Sequence, residues 1–370
     1  MKPQHQPVSA PAPRPAHSPR SALREVIGSV ASPALFDFWA ARVSRTWTWD
    51  RPLARIERIV SAAAGAATLV LRPNRHWRGC APGQHVNVTV EIDGRRFVRP
   101  YSPSAIGAGQ LELTVKAVDG GRVSTHLCRN ARVGDVVELG PAFGAMCLPP
   151  DSAPVLLLAA GSGITPLMAM LRAHAAQRYA GPATLVYWAR RREEFCFADE
   201  LRALARQHAT IEVRFVLTGE PASLPDEAEG RLDDHHVAAH CTTATHVFAC
   251  GPDGFVERAR AMLAPRAAGF VADAFTAPAV AFAASGTVAV TLARSGRTLA
   301  LARGTSLLAA LEANGLQPPS GCRMGICNTC ACGKAAGTTR HLRTGEHDSE
   351  PASALRLCVN AASTDLVLDL

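Results

Sequence analysis

The spacing of apolar residues changes several times along the chain, and the first pattern indicates a helix. Residues 1–20 are rich in Pro, Ala and His, a composition typical of disorder. From Ser21 to Val43 apolar residues recur at helical spacing, a pattern that Ser32-Pro33 can interrupt. We therefore predict an N-terminal extension, residues 1–50, that is partly disordered and contains one amphipathic helix.

Between residues 51 and 150 apolar and polar positions alternate, as in strands that bury one face. The alternation is clearest from Val86 to Ile92, and Asp93-Gly94 then supplies a tight turn into a return strand. Several short strands with glycine turns and little helix predict a small antiparallel β-barrel over 51–150.

The pattern changes again at Asp151. The run 155–160 is continuously apolar, as expected of a strand buried on both faces of a parallel sheet. A glycine turn follows it, and Thr165 and Pro166 suit the cap and the first position of a helix. Further apolar runs alternate with helical stretches, so we predict a doubly wound α/β domain over 151–278.

The last segment, 279–370, follows a Pro/Ala-rich join. A turn at Ser295-Gly296-Arg297 separates two short β-rich runs, and the next helix is predicted to begin after Thr305 and to end at Gly315. A cysteine-rich loop and a final strand complete the segment. The fold class is therefore multi-domain, with an antiparallel barrel, a doubly wound α/β domain and an α+β domain.

Composition and charge narrow the class of protein. Apolar residues make up 48% of the 370 residues, and no run reaches the ~18 apolar residues of a spanning helix. The first residues lack the apolar core of a secretory signal, so we expect a cytoplasmic protein. The net charge is +8 without a concentrated basic arm, and aromatics are only 5%. This favours an anionic cofactor or an acidic partner over nucleic acid.

Cys322, Cys327 and Cys330 have the spacing C-x4-C-x2-C, and Cys358 follows further on. This spacing is typical of a plant-type [2Fe–2S] cluster, in which one loop supplies three thiolates and the fold brings in the fourth. Small neighbours let the loop aim backbone N–H groups at the sulfurs. A zinc site or plain buried thiols are the alternatives. We expect Cys332, two residues beyond the loop, to be a bystander.

Two motifs in the barrel segment suit a flavin nucleotide. Arg99-Pro100-Tyr101-Ser102 ends a predicted strand, where Arg suits a pyrophosphate and Tyr and Ser suit a flavin ring. Lys116 and the stretch 120–124, with Gly121, Val123 and Ser124, supply a phosphate cradle before a helix. The alternative, which involves no cofactor, is a salt-bridged edge strand that ends in a turn.

In the α/β domain Gly161, Gly163, Thr165 and Pro166 follow a buried strand and open a helix, as a dinucleotide pyrophosphate requires. Arg190 and Arg191 lie where an acidic residue would bind the ribose of NADH, so we favour NADPH, with NADH as the alternative. Cys250, Gly251 and Pro252 follow the last predicted strand, at the edge where α/β sheets bind ligands.

These motifs resemble those of the ferredoxin–NADP⁺ reductase superfamily over 51–278, and 322–358 resembles a plant-type ferredoxin domain with a β-grasp fold. The resemblance implies that Tyr101, Ser102 and Cys250 act in catalysis and that Arg99, Gly121 and Ser124 hold FAD rather than FMN. It also implies that 161–166 and 250–252 bind the pyridine nucleotide. Phe275 is expected near the flavin, although Asp273-Ala274-Phe275 departs from the usual Glu-x-Phe.

The resulting prediction is an NAD(P)H-dependent reductase in which FAD stands between a two-electron donor and a one-electron cluster. The order of domains resembles oxygenase and desaturase reductases, and residues 1–50 resemble those serving fatty-acyl desaturases. The predicted partner is a di-iron desaturase or hydroxylase, reached by peripheral contact with a membrane. The alternatives are a soluble aromatic ring oxygenase or epoxidase, a hybrid-cluster protein, and a redox sensor without turnover.

Overall fold

A computed structural model of the chain describes residues 32–107, 109–149, 152–178, 181–274 and 286–370. The chain divides into two units, Met1–Arg51 and Pro52–Leu370. The predicted boundaries at 150/151 and 278/279 fall outside the described residues, so the domain limits stay predictions. Within the described residues, no helix is long and apolar enough to cross a bilayer.

In the first unit, helix α1 spans Pro33–Val43. Ser32 precedes it and Pro33 takes its first position, where a fixed φ and a missing N–H cost nothing. Pro33 therefore begins this helix, and residues 21–31 of the predicted helix lie outside the described residues. The segment after α1 folds back on it, because the Trp49 backbone N–H donates to Asp37 at 2.7 Å.

The second unit begins with the antiparallel sheet that was predicted as a barrel. Its strand order is β4-β3-β7-β1-β2-β6-β5. Asp93 and Gly94 both have positive φ in the turn between β3 and β4, as the sequence predicted. The elements are β1 Leu53–Ala63, β2 Ala66–Pro73, β3 His85–Ile92, β4 Arg95–Tyr101, β5 Ser104–Gly107, β6 Gln110–Lys116, α2 Arg122–Arg129 and β7 Val136–Phe143.

A parallel six-stranded sheet follows, in the order β11-β10-β9-β8-β12-β13. The strand order reverses between β8 and β12, so the carboxyl ends of these two strands flank a crevice. Apolar clusters cover both faces of the sheet. The elements are β8 Val155–Ala160, α3 Ile164–Ala173, β9 Ala183–Ala189, α4 Ala198–Gln207, β10 Ile211–Leu217, β11 Glu227–Glu229, α5 Asp234–Val237, β12 His246–Gly251, α6 Asp253–Leu263 and β13 Gly269–Ala274.

The start of α3 differs from the prediction. Gly161–Gly163 form a single 3₁₀ turn that runs directly into the helix, so Thr165 lies in the first turn instead of capping it. The Thr165 hydroxyl donates to the Ser162 carbonyl at 3.2 Å, and Pro166 is the third residue of α3.

The C-terminal α+β domain has two sheets, ordered β15-β14-β21-β16-β19 and β18-β17-β20. Ser306 caps α7 by accepting from the Ala309 N–H at 3.2 Å, so the predicted Thr305 cap is wrong by one residue. Gly315 follows the helix with a positive φ, as predicted. The elements are β14 Thr287–Leu292, β15 Thr298–Ala302, α7 Leu307–Ala313, β16 Ala331–Ala336, β17 Thr339–His341, β18 His347–Asp348, β19 Ala352–Arg356, β20 Asn360–Ala362 and β21 Leu366–Asp369.

Candidate functional site

One cavity, of about 250 Å³, brings together residues from all three domains of the second unit. Its walls are formed by the end of β4, the start of α2 and the loop that leads into α3. Ser162 and Met324, which the sequence did not single out, also line it. The predicted site residues that line this cavity are Arg99, Tyr101, Ser102, Lys116, Gly121, Val123, Ser124 and Thr165.

A second groove continues this cavity along the barrel, because both are lined by Val118, Gly121 and Arg122. The groove carries Arg95 and Arg129 as well. A Cβ at Gly121 would lie 2.9 Å from the backbone carbonyl oxygen of Val118 and 2.5 Å from the Ser124 hydroxyl, so the site where the chain enters α2 favours glycine. An extended, basic groove that meets a helix N-terminus fits a pyrophosphate-linked dinucleotide such as FAD.

The wall of the cavity contains a buried polar chain. Ser102 Oγ lies 2.5 Å from Nδ1 of His85, and Nε2 of His85 lies 2.7 Å from Asp273 Oδ2. His85 is only 2% exposed. Beside it, burial raises the pKa of Tyr101, which keeps the phenol neutral. His85 was not among the predicted site residues, although its place at the start of β3, which pairs with β4, puts it next to Ser102.

Lys116 lines the cavity of about 250 Å³, which we call the flavin cavity, and its side chain reaches the α/β domain. Its ammonium donates to Glu194 at 2.6 Å, and the Arg191 guanidinium donates to the same carboxylate at 3.2 Å. Burial acts to raise the pKa of Glu194, but these two hydrogen bonds bring it below its usual value. Glu194 therefore links a predicted flavin-binding residue to a predicted nucleotide-binding residue.

The crevice between β8 and β12 forms a separate cleft of about 600 Å³. Gly161, Arg190 and Pro252, all predicted nucleotide contacts, line it together with Arg231, which was not predicted. Neither Arg190 nor Arg231 has an ion-pair partner among the described residues. Arg191 does not line this cleft and pairs with Glu193 and Glu194. Of the two arginines predicted to bind the nucleotide, Arg190 therefore lines the cleft and Arg191 does not.

Gly163 and Gly251 make the close packing of this crevice possible. A Cβ at Gly163 would lie 2.0 Å from the Cys250 carbonyl oxygen, and one at Gly251 would lie 2.9 Å from the Ala160 Cβ. The Cys250 side chain is fully buried, and burial raises the pKa of its thiol far above the usual range. Pro166 is buried within α3 and lines neither cavity.

The four predicted cluster cysteines form two hydrogen-bonded pairs, Cys322 with Cys327 and Cys330 with Cys358. The hydrogen bond with Cys322 lowers the pKa of Cys327, and the one with Cys358 lowers the pKa of Cys330. In the described residues no three metal-ligating side chains converge on one point. Two pairs rather than one convergent group suit a cluster with two irons.

The loop also aims donors at these sulfurs. The N–H groups of Met324, Ile326 and Cys327 point at Cys322 Sγ from 3.3 to 3.4 Å. Gly325 donates to Cys358 Sγ at 3.2 Å, and the Thr329 hydroxyl donates to Cys327 Sγ at 3.1 Å. Donors of this kind stabilise thiolates, so the residues present fit a [2Fe–2S] cluster. Cys332, expected to be a bystander, lies in the apolar core of its domain.

The cysteine loop contacts the flavin-binding barrel. The Asn87 amide of β3 donates to Thr329 at 3.3 Å, and the side chain of Met324 reaches the flavin cavity. On the other side, Arg343 lies 3.8 Å from Asp253, directly after the Cys250-Gly251-Pro252 motif. Phe275, predicted near the flavin, lies outside the described residues.

Three family models match the chain. The model described as an oxidoreductase FAD-binding domain matches residues 53–146, and an oxidoreductase NAD-binding domain matches 157–261. A 2Fe-2S iron-sulfur cluster binding domain matches 290–361. These matches identify the cofactors as FAD, NAD(P)H and a [2Fe–2S] cluster.

Similar proteins cover most of the chain. An NADPH oxidoreductase of Mycobacterium tuberculosis (strain ATCC 25618 / H37Rv) is 34% identical over 364 residues, or 94% of this chain and 92% of that protein. A phenoxybenzoate dioxygenase subunit beta of Ectopseudomonas oleovorans is 31% identical over 67% of this chain and 74% of its own. The solved structure of phthalate dioxygenase reductase is 25% identical, with a TM-score of 0.57, and the match covers 86% of this chain and 97% of that one.

Proposed function

The chain belongs to the ferredoxin–NADP⁺ reductase family, among the members that carry a C-terminal [2Fe–2S] domain, and on this premise we propose that it delivers electrons from NADPH to a separate oxygenase. When bound, FAD accepts two electrons from a nicotinamide and releases them singly to a [2Fe–2S] cluster. The observation that carries the proposal is the single cavity lined by the Tyr101-Ser102 motif, the Ser162 loop and Met324.

The barrel residues bind and orient the flavin. Arg99 and the start of α2 at Gly121 supply positive charge and N–H groups for the pyrophosphate. Tyr101 gives the cavity a flat, neutral wall, because its buried phenol does not ionise. Lys116 is held against Glu194, so it contributes to closing the domains over the cavity rather than to binding phosphate.

Ser102, His85 and Asp273 form a route for a proton. The Ser102 hydroxyl faces the cavity and is hydrogen-bonded to His85, and His85 is hydrogen-bonded to the Asp273 carboxylate. A proton at the Ser102 oxygen passes through the imidazole to the carboxylate without crossing open solvent. Asp273, which begins the stretch that departs from the Glu-x-Phe pattern of the family, is therefore part of the proposed site, although Phe275 lies outside the described residues.

The α/β domain binds and positions the nucleotide. Gly161 lines the cleft with open space above its Cα, which lets a pyrophosphate approach the backbone. Arg190 and Arg231 add two cations to the cleft that have no ion-pair partner among the described residues. This favours the 2′-phosphate of NADPH. We propose that Cys250 acts as a neutral thiol that shapes the crevice, because its burial disfavours the thiolate.

Cys327→Ala tests the electron route. We expect the variant to lose reduction of cytochrome c and the rhombic EPR signal of the reduced cluster, while NADPH-dependent reduction of ferricyanide by the flavin remains. Cys332→Ala is the matched control and keeps both activities. A folded Cys327→Ala protein with full cytochrome c activity would overturn the proposed route, and absence of any turnover in the wild type would favour the sensor.

For the acceptor we propose a di-iron fatty-acyl desaturase or hydroxylase held in a membrane. The support is the N-terminal extension, which resembles that of desaturase reductases and in which α1 lies. A soluble aromatic ring oxygenase is the second candidate, because one relative is described as a phenoxybenzoate dioxygenase subunit. Oxidation of the reduced protein by a purified membrane fraction, but not by soluble extract, is expected for the desaturase; the reverse result supports the ring oxygenase.

A further inference from the structure

Helix α1 exposes its most apolar side. Leu35, Phe38, Trp39 and Val43 recur at spacings of three, four and eight residues, so they lie along one side of the helix. We call these four residues the apolar face of α1. Their exposed fractions are 55%, 55%, 58% and 75%. A surface helix normally turns such a stripe inward.

The opposite side of α1 holds the first unit together. Ala40 is buried, the Phe36 ring packs edge-on against Trp49 at 5.5 Å, and Asp37 accepts the Trp49 N–H. The apolar face therefore has no role in the contacts that fix the helix to the segment following it. A stripe of this size left in water indicates a binding surface.

The chemistry of the face favours lipid over protein. The Arg42 guanidinium lies 4.7 Å from the Phe38 ring and 4.9 Å from the Trp39 ring, so a cation sits among the aromatics. Trp is enriched at the depth of phospholipid headgroups, and Arg can lay its apolar stem beside the rings while its charged head stays in water.

The net charge of the N-terminal residues also favours a lipid surface. Residues 1–51 contain seven basic and three acidic side chains. One of the acidic residues, Asp37, is turned toward Trp49 and Arg51. The excess positive charge complements an anionic surface.

We propose that the apolar face of α1 binds the surface of an anionic phospholipid bilayer, with the helix lying in the plane of the interface. The helix does not cross the bilayer, since it has 11 residues. This inference does not depend on which acceptor the reductase serves, and it assigns the membrane contact to α1 rather than to the basic barrel.

Flotation of the holoprotein with lipid vesicles tests the proposal. We expect it to float with phosphatidylcholine vesicles that contain phosphatidylglycerol, to float less with pure phosphatidylcholine, and to be released by salt. Phe38→Ala/Trp39→Ala should weaken binding at least about tenfold, and Arg42→Gln by less. Val133→Ala, an exposed valine in the barrel domain, is the control and should bind as the wild type does.

Further measurements distinguish lipid binding from two other roles of the apolar face, packing within the protein and self-association. Cytochrome c reduction by Phe38→Ala/Trp39→Ala should equal that of the wild type, so a failure of the electron route is separable from a failure of lipid binding. Unchanged melting temperature and unchanged elution volume are also expected. Wild-type protein that ignores both vesicles, a double variant that floats equally well, or a double variant that melts earlier or changes oligomeric state would overturn the proposal.

Discussion

The Ser102 hydroxyl lies 2.5 Å from Nδ1 of His85, and this hydrogen bond joins the flavin cavity to a buried imidazole. The imidazole in turn reaches Asp273 of the neighbouring domain. The barrel supplies the serine and the histidine, whereas β13 supplies the carboxylate. The proton route that we propose therefore exists only when the two domains are packed together.

Replacing the histidine tests this route. His85→Asn keeps a polar atom near Ser102 but cannot reach Asp273, so we expect cytochrome c reduction to fall about tenfold to a hundredfold, with KM for NADPH and flavin content unchanged. The pH–rate profile should change shape, which a purely structural defect would not cause. His208→Asn is the control, and a wild-type rate for His85→Asn at every pH would contradict the role.

Gly163→Ala tests the packing of the nucleotide crevice. The added Cβ would lie 2.0 Å from the Cys250 carbonyl, a clash with backbone that cannot be relieved by a side-chain rotation. We expect a loss of roughly 1 to 3 kcal/mol in the free energy of unfolding and weaker NADPH binding. Gly254→Ala, where a Cβ meets nothing within 4 Å, should be neutral in urea unfolding. Equal stabilities of the two variants would refute the close-approach argument.

Nucleotide preference should depend on Arg231 and Arg190 more than on Arg191. Arg231→Gln removes a cleft cation, so KM for NADPH should rise about tenfold while KM for NADH stays nearly constant. Arg191→Gln should have little effect on either constant, because Glu193 and Glu194 already neutralise that guanidinium. A parallel rise for both nucleotides in Arg231→Gln would show that this arginine does not recognise the 2′-phosphate.

Acid should weaken the α/β domain through Glu227. Hydrogen bonds from Arg192 and from the N–H groups of Ser223 and Leu224 lower its pKa from 4.5 to about 2. Because the folded-state pKa is depressed, this stabilisation is complete above pH 4.5 and is lost as pH falls toward 2. Its upper bound is roughly 3 kcal/mol, which solvent around Arg192 reduces.

Urea unfolding of Glu227→Gln at several pH values measures this contribution. The variant should be less stable than the wild type at pH 7, and the difference should shrink below pH 4.5. Glu57→Gln, which removes a surface pair with Arg72, should cost much less at any pH. A stability gap for Glu227→Gln that does not change with pH would contradict the assigned cause.

Local sequence patterns were sufficient to predict the β3–β4 hairpin and the cysteine loop. The alternation from Val86 to Ile92 with Asp93-Gly94 predicted the hairpin because period and turn chemistry are both local. The spacing of Cys322, Cys327 and Cys330 predicted a loop with N–H donors at the sulfurs, and the donors are there. Gly163 was singled out for phosphate approach, and its packing against Cys250 adds a second reason for glycine.

The features that the sequence did not predict depend mostly on contacts between residues far apart in the chain. His85 and Asp273 are separated by 188 positions, so no local pattern could pair them. Arg190 and Arg191 are neighbours in the sequence, and the fold shows which of them Glu194 pairs with and which lines the nucleotide cleft. The start of α3 was misplaced because Thr165 is a good cap by type, whereas the preceding 3₁₀ turn leaves no cap position for it.

Met324 belongs to two environments at once: its N–H donates to Cys322 Sγ, and its side chain lines the flavin cavity. A substitution there changes the side chain in the flavin cavity directly, and it acts on the iron centre through any shift of the backbone whose N–H reaches the sulfur. The two redox groups are thus not independently adjustable at this position. Engineering that aims to retune the iron centre alone should vary Thr329 first, because its hydroxyl donates to Cys327 Sγ and its side chain does not line the flavin cavity.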